Sequence, residues 1–423
     1  MKILWLINVP LPEVSILMNE KPSPYGGWLI NTSKDLAVKE NIELSIAFPK
    51  NGIKSYKKFN GSKITYYAFD TVNYKNVKQI TSNTILRKIV QEVKPELVHI
   101  FGTEMSHALS MVNVCENANI KTVITIQGLI SVIEKHMFAN LPFRVIYGFT
   151  LRNLLRKDSV IGLKNTFYKR GKNEIEAIKK TNHIIGRTTW DKACISQINP
   201  NAKYYFCNET LREEFYKHEW NIDKCEKYSL FLSQGQYSIK GLHYVIEAMP
   251  LILKIFPDAK LYIGGKNIIK SDTLKDKLLI TYYGKYIRKL ILKLKLENNV
   301  IFMGPLDEKS MCERFLKSHV FVCPSAIENS PNSLGEAMVL GVPCVASNVG
   351  GISDMLLHKK EGFIYQADAS YMLAYYVCEI FRNDDIAREF SKESREHALK
   401  THDRAANFDR LIEIYGDIIR KMV

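Results

Sequence analysis

The chain lacks any apolar run approaching the roughly 18 residues that a spanning helix needs, so no membrane span is expected. It also lacks paired cysteines. The eight present (Cys115, Cys194, Cys207, Cys225, Cys312, Cys323, Cys344 and Cys378) form no C-x-x-C, which argues against both a zinc site and a disulfide framework. Cys323 and Cys344 fall in apolar strand-like runs and read as reduced core residues, which points to a cytoplasmic setting. The opening run MKILWLINVPLPE has one lysine, is too short for the apolar core of a secretory signal, and is followed by no small-residue cleavage site. A first β-strand is expected there. There is no D-x-D run in an apolar neighbourhood, and Asp384-Asp385 sits in a polar helical stretch that reads as solvated surface. Short repeats, low-complexity tracts and nucleic-acid-binding motifs are absent too.

What is present suits a soluble globular protein: 423 residues, 46% apolar and 24% charged. That length implies about two to three domains. The net charge of +15 is unevenly placed. Residues 1–210 carry 29 lysines and arginines against 16 acids, whereas the remainder carries 30 against 28. The densest stretch, 144–180, has ten basic and three acidic residues. A one-sided basic surface fits a phosphate-bearing partner or anionic lipid; a plain solvated face is the alternative.

Two series of strand–helix alternation are readable. The first has strands at 2–8, 42–48, 63–69, 97–101, 122–126 and 183–187, with helices from Trp28, at 80–93 and at 105–117. The second has strands at 229–233, 259–265, 299–304, 320–324, 343–347 and 363–366, with helices from Leu242 and at 280–296, 308–317 and 332–340. Such alternation reads as βαβ units and parallel sheets. The pattern predicts an α/β protein with two doubly wound halves and a cleft between them. The linker is placed near 208–228, a polar stretch holding Trp220. The expected domains are 1–207, 208–400 and a terminal helix over 401–423 that crosses back to the first half.

The most informative segment is PSAIENSPNSLGEAMVLGVPCVASNVGGISDML (324–356), which begins where an apolar strand ends. Ser330 suits an N-cap and Pro331 the first helical position. The helix that follows would aim free N–H groups and its positive dipole end at a ligand, an arrangement suited to a diphosphate. Glu328 in the loop and Glu336 in the helix have seven residues between them. Carboxylates accept paired hydroxyl hydrogen bonds well, so one glutamate can hold sugar hydroxyls and the other ribose hydroxyls. The plain alternative is an exposed loop glutamate and a surface helix glutamate.

This segment resembles the donor-site signature of the retaining glycosyltransferases of family 4, which have the GT-B fold of two facing Rossmann-like doubly wound domains with an interdomain cleft. The matching residues are Glu328, Glu336-Ala337-Met338, Gly341, Pro343, Val345-Ala346 and Gly350-Gly351-Ile352. The resemblance implies that Glu328 contacts the donor sugar, Glu336 the ribose, and backbone N–H groups at Asn332, Ser333 and Leu334 the distal phosphate. SLFLSQGQYSIKGLHYVIEAM (229–249) resembles the family's strand, G-R, spacer, K-G and helix. There Lys240 fits the lysine that neutralises the donor diphosphate. Gln236 stands where the family has arginine, and a neutral amide does not replace a fork of cationic donors. Another cation, with Lys266 the candidate, would then supply that charge. After the strand at 300–304, Gly304, Pro305 and Leu306 occupy the position that the family places against the nucleotide base.

In the first half, Gly26-Gly27 matches the family's glycine pair facing the donor diphosphate. Gln127 stands where a histidine commonly reaches the donor sugar, and its amide can still bond a hydroxyl. His99, Thr103, Glu104 and Arg187 are candidates for the acceptor side, Arg187 for an acceptor phosphate; for His99 a simple strand-end histidine is the alternative. The resemblance implies retaining, metal-independent transfer from a nucleoside-diphosphate sugar, with a UDP-sugar favoured and no bound cofactor, to a glycan hydroxyl. The acceptor is expected to be a glycan or lipid-linked glycan in surface polysaccharide biosynthesis. A nucleic-acid partner is not expected. FRVIYGFTLRNLLRKDSVIGLKNTFYKR (143–170) mixes large apolar and basic residues, the composition of a helix lying on anionic lipid; an ordinary amphipathic helix packed on the first half is the alternative. This would make the protein peripheral on the inner face of the cell membrane. Two competing functions remain: a sugar-nucleotide epimerase on a similar fold, and a catalytically dead partner subunit.

Overall fold

The structure is a computed structural model that describes residues 1–22, 26–53, 55–70 and 83–420. The chain divides into two compact units. The first comprises Met1–Val132, Thr166–Thr210 and His402–Val423, and the second Ile133–Asn165 and Leu211–Thr401.

The sheet of the first unit contains β1 (Lys2–Leu6), β2 (Glu43–Lys50), β3 (Tyr56–Asn60), β4 (Thr65–Asp70), β5 (Leu97–Phe101), β6 (Lys121–Thr125), β7 (His183–Gly186) and β8 (Lys203–Phe206). Its order is β3-β4-β2-β1-β5-β6-β7-β8. Only the β3–β4 pairing is antiparallel. Central strands such as β1 and β5 are apolar on both faces, as helix-covered parallel strands must be. The strands at 56–60 and 203–206 escape the sequence reading because β3 is polar and exposed and β8 is four residues at the sheet edge. The helix expected over 80–93 runs Asn83–Val93, with its expected start at 80–82 outside the described residues. The last helix, Arg404–Arg420, packs in this unit, where Trp5 Nε1 donates to the Tyr415 hydroxyl at 3.0 Å.

The sheet of the second unit contains β9 (Glu226–Leu232), β10 (Lys260–Gly264), β11 (Val300–Gly304), β12 (Ser318–Cys323), β13 (Cys344–Ser347) and β14 (Gly362–Tyr365). All its pairings are parallel, in the order β11-β10-β9-β12-β13-β14. Succession runs outward one way from β9 and the other way from β12. The switch point between these strands is where an open α/β sheet leaves a crevice at its carboxyl ends.

Two expectations about organisation change. Residues 133–165 belong to the second unit rather than the first. Ser238 Oγ donates to the Met137 carbonyl at 2.9 Å, the Tyr244 hydroxyl donates to the Ala139 carbonyl at 2.8 Å, and Val145, Ile146 and Val160 join the second core. The presumed linker is also well packed from residue 211 onward. Phe215 and Trp220 are buried, and Trp220 Nε1 donates to the Ser318 carbonyl at 2.8 Å. Its polar composition hid a strap held by two aromatic anchors.

Candidate active site

The loops after β9 and β12 meet at the switch point of the second sheet. After β9 the chain makes a short 3-10 turn, Ser238–Lys240, which Gly241 ends at φ +71°. A Cβ at Gly241 would lie 1.9 Å from the Pro324 carbonyl oxygen. The K-G pair is therefore a steric requirement: only glycine lets the β12 loop come this close while the backbone is left-handed. The Ala326 amide donates to the Ile239 carbonyl at 2.7 Å and ties the two loops together.

Lys240 Nζ donates to Glu328 Oε1 at 2.5 Å, and Ser325 Oγ donates to the same oxygen at 2.7 Å. Burial lowers the affinity of the Lys240 ammonium for its proton, but the Glu328 carboxylate outweighs it and the pKa ends above its ordinary value. Lys240 stays cationic. Both bonds fall on Oε1 of Glu328, which leaves Oε2 for a ligand hydroxyl. Gly350 holds the glutamate from below: at φ +52°, its Cβ would lie 1.8 Å from the Glu328 carbonyl oxygen. The Gly351 amide donates to that carbonyl at 3.1 Å. Lys240, Glu328 and Ser333 line one small cavity with Gln234 and Ser325.

The helix Asn332–Leu340 has the expected bounds, but Pro331 rather than Ser330 is its N-cap. No side chain caps it. The Leu334 amide already donates to the Pro331 carbonyl at 2.9 Å, so the open end lies at Asn332 and Ser333. Glu336 is buried on this helix, 4% exposed. Both its oxygens are taken by Arg212, with Nε to Oε1 at 2.6 Å and Nη2 to Oε2 at 2.7 Å. Burial pushes the Glu336 carboxyl up, and the Arg212 fork opposes it. A carboxylate has about four lone-pair sites, so two remain open. Arg212 was not legible in the sequence, since it meets Glu336 across 124 positions and sits in a stretch that reads as linker.

Gln236, two residues beyond Gln234, lines a second cavity of this unit, of about 380 Å³, with Arg152, Lys266 and Lys270. The missing cation thus has three candidates in one cavity, Lys266 among them. Arg152 is held by Asp158 at 2.8 Å and Lys270 lies 3.7 Å from Asp276. Gly304 ends β11 at φ +81°, with nothing near its Cβ position, and its carbonyl accepts from the Gly265 amide at 3.0 Å. Pro305 is exposed and Leu306 packs partly on the core.

In the first unit, Gly26 is the N-cap of the helix Gly27–Ala37 at φ +82°, where a Cβ would lie 2.8 Å from Val9. Gln127 Nε2 donates to Glu209 Oε1 at 2.5 Å, and Arg187 Nη1 donates to Oε2 at 2.6 Å. Arg187 is 5% exposed. Glu209, unnoticed in the sequence, pairs with this candidate phosphate ligand. The reading of His99 as an acceptor residue is corrected. The residue is fully buried, its ring nitrogens meet the Tyr415 hydroxyl at 2.5 Å and the Thr125 hydroxyl at 2.6 Å, and burial lowers its pKa to about 3. It is a neutral core histidine. Thr103 is buried and donates to Glu174 Oε2 at 2.7 Å.

Glu104 is the acceptor-side candidate with a usable carboxyl. Burial raises its pKa from 4.5 to about 7; nearby Glu174 adds to the rise, while Arg170 and the Asn8 amide at 3.4 Å oppose it. His107 packs close by through Asn8 and is neutral, its pKa lowered to about 3 by burial and Arg170. Because the folded state holds the Glu104 proton more tightly than the unfolded chain, the stability that Glu104 contributes is greatest at low pH. It falls as pH rises from about 4.5 through about 7. Glu104→Gln is expected to flatten that fall in a plot of Tm against pH. An unchanged slope would assign the dependence to another group.

Residues 212–397 match the family model described as glycosyl transferases group 1. An uncharacterized glycosyltransferase of Methanocaldococcus jannaschii is 30% identical over 188 residues, 44% of each chain. The chain spans about half the length of the curated relatives it matches. Sucrose-phosphate synthase from Thermosynechococcus elongatus covers 99% of both chains with a TM-score of 0.70 and 13% identity. The Anabaena HepE structure in complex with UDP-glucose covers 99% of this chain and 100% of its own, with a TM-score of 0.68 and 15% identity. These likenesses establish the GT-B fold, with its two Rossmann-like sheets.

Proposed function

We propose that the chain is a retaining glycosyltransferase of family 4, a reading that the match of residues 212–397 to the group 1 glycosyl transferases supports, and that it moves a sugar from a UDP-sugar to a hydroxyl of a glycan acceptor. The observation that carries this reading is the Lys240–Glu328 pair beside Ser333 at the switch point, with Glu336 on the adjoining helix. In the proposed reaction the diphosphate lies against Lys240 and the open helix end at Asn332 and Ser333. Glu328 Oε2 receives a sugar hydroxyl and Glu336 the ribose. The bond from the anomeric carbon to the diphosphate oxygen breaks, and the acceptor oxygen bonds to that carbon on the same face. The acceptor proton passes to the departing diphosphate. Lys240 stabilises the charge that develops there, a term that is usually large. The UDP-glucose in the HepE structure supports the choice of base. We further propose a glycan acceptor carried on lipid, met at the cytoplasmic face of a membrane.

A thermal-shift panel of nucleoside diphosphates and their sugars tests the donor side, because a ligand that binds only the folded state raises Tm by mass action. UDP and a UDP-sugar are expected to raise it; no shift with any nucleotide would remove the donor site. Gln236→Arg is expected to tighten UDP about tenfold or more, the worth of a charge-assisted hydrogen bond. Titration calorimetry reads this. Unchanged affinity would mean that Arg152, Lys266 or Lys270 already supplies the charge.

A further inference from the structure

We propose that the surface formed by residues 143–157 and the helix Leu274–Leu279 docks on an anionic lipid bilayer. The composition of 143–170 suggested one continuous helix, but the structure breaks the stretch into Phe143–Ile146, Leu151–Arg156 and Val160–Lys179. The middle helix is turned inside out. Its polar Asn153 is buried, while Leu151, Leu154 and Leu155 face solvent, Leu155 at 70% exposure. An amphipathic helix of a globular protein does the opposite. Phe143 (80% exposed), Tyr147 and Phe149 extend the apolar surface, and the helix Leu274–Leu279 adds Leu274 (79% exposed), Leu278 and Leu279 while burying none of its residues.

The two stretches are fixed to each other. Thr150 Oγ1 donates to the Ile280 carbonyl at 2.9 Å, Arg152 Nη1 donates to the Leu279 carbonyl at 2.8 Å, and the Tyr282 amide donates to Asn153 Oδ1 at 2.9 Å. Capping boxes at Thr150 and Thr273 close both helices. The leucines are therefore displayed by ordered, capped helices, and an exposed apolar patch of this kind marks an interaction site.

Charge selects the occupant. Residues 143–157 hold four basic side chains and no acidic one. Arg144, Arg156, Lys157, Lys275 and Lys277 are exposed beside the apolar groups. A second copy docked by a two-fold would bring these cations against one another, whereas an anionic headgroup layer complements them. Among the described residues no helix is long and apolar enough to cross a membrane, so the short helices lie in the interface. This places the contact on the donor-binding unit, and it stands whether or not the donor reading holds, because binding is measured without turnover.

The test is co-sedimentation of the full chain with phosphatidylcholine vesicles, with and without phosphatidylglycerol. Wild-type protein is expected to pellet at least tenfold more with the anionic vesicles and to be released by high salt. The triple variant Leu154→Asn, Leu155→Asn, Leu278→Asn should lose that binding tenfold or more. Arg156→Gln with Lys157→Gln should weaken the preference for anionic lipid, and this pair decides the matter if the leucine variant fails to fold. Equal, negligible pelleting of wild type with both lipids would overturn the proposal. So would pelleting indifferent to the substitutions, or a wild-type dimer that the leucine variant turns into a monomer.

Discussion

Lys240→Ala is expected to lower kcat by about 100-fold or more, the size of effect seen when one preorganised donor to a developing negative charge is removed. The reasoning starts from the loop. Gly241 and Pro324 bring the two strand ends together so that Lys240 reaches Glu328 Oε1. The lysine thus serves two ends: it keeps the loop glutamate in place and presents a cation where the diphosphate is proposed to leave. Lys240→Arg keeps the charge with a different shape and should retain more activity than alanine. A Tm measurement separates loss of folding from loss of chemistry. If nucleoside-diphosphate affinity and turnover both stayed at wild-type levels in the folded alanine variant, the phosphate site would lie elsewhere.

The second large effect concerns Arg212 and Glu336. Removing one member of a buried, bidentate pair leaves an uncompensated charge and costs about 3–5 kcal/mol. Arg212→Met is therefore expected to lower Tm sharply and to weaken donor binding, because it frees and displaces the carboxylate proposed to hold the ribose. Glu336→Leu should do the same. The double variant, with two apolar groups facing each other, should recover much of the stability while remaining unable to hold the ribose. Chemical denaturation and UDP titration on the three variants read the two properties separately. Recovery of UDP affinity together with stability in the double variant would make the pair a structural contact and remove Glu336 from the donor site.

The second half of the chain was more legible than the first. The helices at 308–317 and 332–340 and the strand between them follow from period and punctuation, and Gly341 ends the second helix in the left-handed region. Glu328, Glu336 and Lys240 were readable because strand ends, a helix start and glycine pairs fix their positions locally. Their partners were not. Arg212 and Ser325 carry no periodic signal, nor does Glu209, which pairs with Gln127, and the Arg212–Glu336 and Gln127–Glu209 contacts span more than 80 residues. His99 misled for the same reason: a polar residue in a strand looks available until the distant groups that satisfy it are known. The segment 133–165 went to the wrong unit because composition records amphipathicity but not which core receives it.

Incubating the purified protein with a panel of nucleotide sugars and assaying free nucleoside diphosphate, epimerised donor and unchanged donor tests the proposed transfer most directly. The account predicts that nucleoside diphosphate is released from a UDP-sugar, slowly with water in place of the acceptor, and that Lys240→Ala abolishes the release. Donor recovered with an inverted ring carbon and no free diphosphate would identify an epimerase. Donor recovered intact under every condition would contradict sugar transfer and leave the fold as a partner subunit.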